Sequence, residues 1–179
     1  MEILKELPRH DMPALANEWV AHPILHITGL VATPQQLTAA DLATLPRVGF
    51  TDDFLCDGKW TVPNQQWRGY RLLDVLALAD SLVMAKVAGK YISVGAGDYV
   101  IPISWEDAEH ALLADMLNDE PLTLEHGAPW RLVLLGGRCF TSVKWVDRLE
   151  LTAEPATNTG LGIVRERNRA LLSEKRAKR

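Results

Sequence analysis

The chain has 179 residues, 47% of them hydrophobic, and a formal net charge of −4. That is enough apolar material for one core and excludes a wholly disordered chain. The mild acidity also argues against a dedicated nucleic-acid binder, whose domain carries a basic face.

Read in chain order, residues 1–22 form an irregular lead-in around Pro8 and Pro13. Ile24 to Thr28 is β-rich and stops at Gly29, which predicts a strand. After a turn around Pro34, Thr38 caps a short helix through Leu45, ended by Pro46. Phe50 to Cys56 predicts a second strand, followed by the turn Asp57-Gly58-Lys59. Residues 57–70, with Pro63 and Gly69, are expected as a loop, and Arg71 to Asp80 has a helical period. Tyr91–Val94 and Tyr99–Ile103 predict two short strands around Gly95-Ala96-Gly97-Asp98. Ser104 caps a helix, with Glu106 and Asp107 in its first turn, that is expected to run to about Leu117. Trp130–Leu135 predicts a buried strand, and the alternation of Val146–Thr152 predicts an edge or half-exposed one. The expected fold is α+β, with mixed sheets and short helices around one core over residues 1–161. Residues 162–179 hold seven cationic and two acidic residues, a local +5 that leaves −9 for the remainder. This basic tail is expected to be a solvated helix.

No apolar run approaches the roughly 20 residues of a membrane helix. Residues 1–13 carry acids, Lys5 and Pro8 and no apolar signal core. A cytoplasmic protein without a membrane or nucleic-acid partner is therefore expected. The five histidines (His10, His22, His26, His110, His126) lack the spacing of a helical zinc site, and Cys56 and Cys139 form no C-x-x-C pair. Both cysteines are expected to stay reduced.

Three separated motifs carry the chemistry. The first is Leu55-Cys56-Asp57-Gly58-Lys59-Trp60, followed by Trp67-Arg68-Gly69. The second runs from Asn118-Asp119-Glu120-Pro121-Leu122 into His126-Gly127-Ala128-Pro129-Trp130-Arg131. The third is Ser142-Val143-Lys144-Trp145 ahead of Leu149-Glu150-Leu151. A thiolate at a strand end suits a soft metal. Burial as a small hydrophobe is the commoner role of a lone cysteine, and the residue alone leaves both open. Arg131 and Lys144 suit an anionic group, one as a planar fork and one as a point charge. His126 can present either tautomer. A surface ion pair, a solvated lysine and a backbone-bonded turn histidine are the plain alternatives for these three.

In order and spacing these motifs resemble the molybdopterin domain of the sulfite oxidase family over about residues 24–152. That family reads as a strand ending in cysteine, W-x-G before a helix, an H-G-x-P-x-R segment and S-V-K-W before a strand. The resemblance implies a molybdenum–molybdopterin cofactor with Cys56 as its thiolate ligand, and cofactor contacts from His126, Arg131, Ser142 and Lys144. It leaves Cys139 with a structural role. Arg9, in Arg9-His10-Asp11-Met12-Pro13, matches the family's R-N-H-x-P stretch as an anion donor facing the metal, although Asp11 replaces the histidine. Asp98 falls near a polar cofactor contact of the family. The implied reaction is two-electron oxygen-atom transfer on a small sulfur or nitrogen oxyanion or oxide, with an external electron-transfer partner. Two departures weigh against sulfite itself. Lys59 is the only cation just after the cysteine, and residues 152–179 contain no tyrosine. They keep open a second reading, a non-catalytic pterin-binding or protein-interaction module that retains the fold.

Overall fold

A computed structural model of the chain describes residues 1–9, 16–56, 59–79, 91–163, 166 and 169. Its strands are β1 (Glu2–Ile3), β2 (Ile24–Gly29), β3 (Gln35–Thr38), β4 (Val48–Cys56), β5 (Trp60–Arg71), β6 (Tyr91–Ala96), β7 (Tyr99–Ser104), β8 (Ala111–Leu117), β9 (Glu120–Pro121), β10 (Arg131–Leu134) and β11 (Arg148–Thr152). Among the described residues, short helices accompany them, including α1 (Ala16–Ala21), α2 (Ala39–Leu42), α3 (Leu72–Ala77) and α4 (Trp105–Glu109), and residues 159–163 are also helical. The mixed sheets and short helices are those expected of the α+β class. Most of the basic tail at 162–179 lies outside the described residues.

Two sheets organise the chain. In the six-stranded sheet, β5 pairs with β1, β4 and β8, and β8 continues to β10 and β9. The five-stranded sheet has the order β3-β2-β11-β6-β7, with β2 and β11 parallel and the other pairs antiparallel. The larger core joins the inner face of this sheet (Leu25, Ile27, Ile92, Val94, Leu149, Leu151) to α3 and to Leu113 and Leu132 of the other sheet. A second core on the opposite face of the six-stranded sheet packs Val62, Trp67, Leu112, Ala114 and Val133. Both expected caps close as capping boxes, Thr38 with Asp41 and Ser104 with Asp107.

Four expectations need correction. Residues 60–70 are the long strand β5, not a loop. The breaker Pro63 sits where the ladder to β4 shifts register between Asp52 and Phe54, beside Asn64 at φ 55°, so the strand absorbs it in a bulge. The helix begun at Ser104 ends at Glu109, and 111–117 is strand β8. This strand lies between β5 and β10 with Leu112 and Leu113 buried on opposite faces. Burial on both faces removes the alternation that would mark it as a strand. Strand β11 is central, between β2 and β6, not at an edge. Its alternation reports only that Glu150 faces outward while Leu149 and Leu151 face the core. The lead-in segment contains β1 and α1.

Candidate functional site

Cys56 ends β4, half-buried, in register with Trp60 of β5. The backbone N–H of Lys59 closes the turn onto the Cys56 carbonyl at 3.0 Å. On its other side, Leu55 makes a parallel bridge to Arg138, just ahead of the 3-10 turn Cys139–Thr141. This bridge carries Cys139 against the candidate ligand. The Cys139 thiol donates toward Cys56 Sγ at 2.7 Å. Cys139 is the neighbour of the candidate ligand that sequence reasoning missed. It belongs to none of the three motifs, and only the bridge between segments far apart in the chain reveals it.

Arg131 opens β10, facing Ala114 of β8, and its side chain turns into the second core, where the residue is only 3% exposed. The guanidinium carbon lies 5.0 Å from the ring centroids of both Phe54 and Trp67. Its Nε–H donates to Ser142 Oγ and one terminal N–H to the His126 carbonyl, each at 3.1 Å. No carboxylate pairs with it among the described residues. Burial, the dominant cause, pushes the Arg131 pKa down from 12.5 to about 9. Arg131 therefore remains a cation at neutral pH. It is not a surface ion-pair residue.

Ser142 serves Arg131. Its hydroxyl accepts from Nε and donates to the Leu132 carbonyl at 3.0 Å. His126 ends the 3-10 turn Leu124–His126, which Gly127 closes at φ 108°. Both ring nitrogens have partners: Nδ1 lies 3.0 Å from Thr123 Oγ1 and Nε2 lies 3.3 Å from the Leu7 carbonyl. A neutral ring with the proton on Nε2 satisfies both. Burial, then the charges of Lys144, Arg131 and Arg9, hold its pKa below 6.5, outweighing the Leu7 bond. Lys144 Nζ donates to the Glu125 carbonyl and lies 5.6 Å from the Trp145 ring. Trp145 Nε1 donates to the Leu124 carbonyl, so residues 144–145 clamp the 124–126 turn.

The structure thus brings Arg9, His126, Arg131, Ser142 and Lys144 into one neighbourhood. Cys56 joins it through Cys139, whose side chain contacts Cys56 and bears on the proton affinity of Arg131. Asp98 stands apart, exposed on the turn between β6 and β7. Its carbonyl accepts from Thr159 Oγ1, and its carboxylate pairs with nothing among the described residues. The adjoining Tyr99 hydroxyl reaches the Phe140 carbonyl at 2.8 Å, which ties that turn to the segment holding Cys139. Residues 10–13, which complete the Arg9 motif, lie outside the described residues. A separate open cleft of about 480 Å³ lies between α1 and β11, lined by His22, His26 and Arg148 among others, and contains none of the expected site residues.

The donor set is thus a soft sulfur beside converging cations, one buried and without a carboxylate. It can hold an anionic group that also offers a thiophilic metal. No cluster of three or more His, Cys, Asp or Glu side chains able to hold a metal occurs among the described residues.

Comparison with known proteins agrees with this chemistry. The family model described as "Oxidoreductase molybdopterin binding domain" matches residues 11–159. The chain is 32% identical over 132 residues to the uncharacterized oxidoreductase YuiH of Bacillus subtilis, covering 73% of this chain and 65% of that protein. It is 30% identical over 162 residues to sulfite oxidase of Arabidopsis thaliana, covering 72% of this chain and 41% of that protein. Among solved structures, the sulfane dehydrogenase SoxCD from Paracoccus pantotrophus superposes with a TM-score of 0.66 at 28% identity, over 74% of this chain and 39% of the other. The chain therefore spans less than two thirds of each of these relatives.

Proposed function

The chain belongs to the oxidoreductase molybdopterin-binding domain family, and on that premise we propose that Cys56 ligates the molybdenum of a bound molybdopterin in an oxygen-atom-transfer enzyme. The substrate class is a small sulfur or nitrogen oxyanion or oxide, and reoxidation or reduction of the centre falls to an external electron-transfer partner.

One observation carries the reading: a half-buried thiol at a strand end, linked through Cys139 to a buried arginine that no carboxylate among the described residues neutralises. A thiolate is a soft donor for the metal, and metal binding itself drives loss of the thiol proton. When bound, the cofactor would supply the two-electron redox change. Arg131 and Lys144 supply positive charge for its anionic groups, and Arg9 adds a third cation at the exposed rim. His126 positions the site, since its ring ties Leu7, and with it the Arg9 segment, to the 124–126 turn. Ser142 orients the Arg131 fork. The described residues hold no cluster of three or more ligating side chains, which fits a metal that arrives with its own donors.

The test is molybdenum analysis followed by X-ray absorption at the molybdenum edge, on protein made in a molybdate-supplied host. Wild type is expected to contain molybdenum. Cys56→Ser is expected to lose one sulfur scatterer and Cys139→Ser, handled under reducing conditions, none. Equal sulfur counts in wild type and Cys56→Ser would overturn the ligand assignment. Bound pterin without turnover on any oxyanion or oxide would leave the non-catalytic module.

A further inference from the structure

We propose that Cys56 and Cys139 form a reversible disulfide in the cofactor-free chain, a modification that removes the metal-ligating thiolate until the pair is reduced. The proposal builds on the assignment of Cys56 as the metal ligand, but the disulfide can be tested without it.

The placement comes from the backbone. The parallel bridge between Leu55 and Arg138 sets the next residues side by side, Cys56 at the end of β4 and Cys139 at the start of the 3-10 turn. Neighbouring strands lie about 4.8 Å apart, inside the Cα range of about 4.4–6.8 Å that a disulfide spans. The side chains already converge, with Sγ 2.7 Å from Sγ. Both residues are half-buried, not sealed in the core, so a small oxidant can reach them. The chain has no other cysteine to compete for either partner.

The chemistry balances with a low-molecular-weight disulfide as oxidant. One protein thiolate attacks a sulfur of RSSR, forms a mixed disulfide and expels one RS⁻. The neighbouring thiolate then attacks the protein sulfur of that mixed disulfide and expels the second. Two electrons pass from the cysteine pair to the oxidant, and the two thiol protons end on the two RSH released. A sulfur bound in a disulfide is no longer the thiolate that a metal requires. Disulfide and metal therefore exclude one another at Cys56, and the chain accepts its metal only when reduced.

The experiment treats the full cofactor-free chain with oxidised glutathione, blocks remaining thiols with N-ethylmaleimide, and reads intact mass and peptide maps. The expected product is lighter by two hydrogens, carries neither maleimide nor glutathione, and yields a peptide joining Cys56 to Cys139. Dithiothreitol is expected to restore two maleimide-reactive thiols. Oxidised chain is expected to lose its capacity to take up the molybdenum cofactor and to regain it after reduction. In the cofactor-loaded chain the same treatment is expected to leave glutathione on Cys139 alone. Glutathione or maleimide on both cysteines of the cofactor-free wild type, with no joined peptide, overturns the proposal. So does a joined peptide in chain that still holds its molybdenum. The two readings can fail separately. A joined peptide with an unchanged molybdenum–sulfur count in Cys56→Ser would sink only the ligand assignment. A lost scatterer without a joined peptide would sink only the disulfide.

Discussion

Replacing Arg131 by methionine separates a cation kept for an anion from one that holds the fold together. Burial lowers the Arg131 pKa from 12.5 to about 9, which corresponds to about 5 kcal/mol of charging cost in the cofactor-free domain. Against this stand two hydrogen bonds from a charged donor, worth about 1.5 kcal/mol each at the lower end of their range. Two ring contacts at 5.0 Å add about 1 kcal/mol each. The opposing contributions nearly cancel. Methionine is flexible and unbranched, occupies the space of the arginine stem leading to Phe54 and Trp67, and brings no charge. Arg131→Met is therefore expected to keep cofactor-free stability within about 2 kcal/mol of wild type in urea unfolding. Alanine would add a cavity and cost about 3 kcal/mol more. Cofactor retention should respond differently, because the charge is compensated only when an anion is present. The measure is molybdenum and pterin content after gel filtration, set against the urea midpoint of the cofactor-free form. A methionine variant that fails to fold would show that Arg131 is a structural residue. One that folds and holds cofactor as wild type does would refute the anion assignment.

Three further perturbations follow from the same geometry. His126 has its folded pKa below 6.5, so its stabilising neutral state is fully present above that value and lost as pH falls toward the folded pKa. Urea midpoints from pH 7 to about pH 5 should fall more steeply for wild type than for His126→Gln, and parallel slopes would contradict the shift. Gly127 adopts φ 108°, and a Cβ there would stand 2.9 Å from Lys144 Cβ. Gly127→Ala should cost on the order of 1–3 kcal/mol and weaken cofactor retention with it; a neutral effect on unfolding would contradict this. Closing a disulfide across a separation of 83 residues constrains the unfolded chain by about 4.5 kcal/mol on the chain-entropy model. The oxidised cofactor-free domain should therefore melt roughly 10 °C above the reduced one, and an unchanged midpoint would show strain that cancels the gain.

Local chemistry made part of this structure legible in the sequence. Thr38 and Ser104 announce their capping boxes because a hydroxyl and an acid three residues on form a short-range code. Strands β6 and β7 announce themselves through β-rich runs around a glycine turn. Strand β8 did not, because Ala-Leu-Leu-Ala-Asp-Met-Leu combines helix-favouring residues with burial on both faces, and tertiary pairing overrides propensity. The motifs identified Arg131 but not its burial. Its place after Trp130 and before Leu132 and Val133 is, in retrospect, the only local hint. The contact of Cys139 with Cys56 depends on one bridge between distant segments, and no periodicity encodes such a pairing.

The partners of the cations separate the candidate site from the rest of the surface. Arg47 pairs with Asp115 at 2.7 Å, Arg68 with Asp119 at 3.4 Å and Arg148 with Asp147 at 2.9 Å. At the site the partners differ. Arg131 donates to the His126 carbonyl and the Ser142 hydroxyl, and Lys144 to the Glu125 carbonyl. A carbonyl or hydroxyl fixes the direction of a donor without cancelling its charge, whereas a carboxylate does both. The 124–126 turn thus fixes the direction of both side chains, and no carboxylate pairs with Arg131 among the described residues. The cost appears as the depressed proton affinities of Arg131 and His126. An arrangement that lowers the stability of the empty domain persists where a ligand repays it. On the proposed function, that ligand would be an anionic cofactor held by Arg131 and Lys144 and ligated through its metal by Cys56.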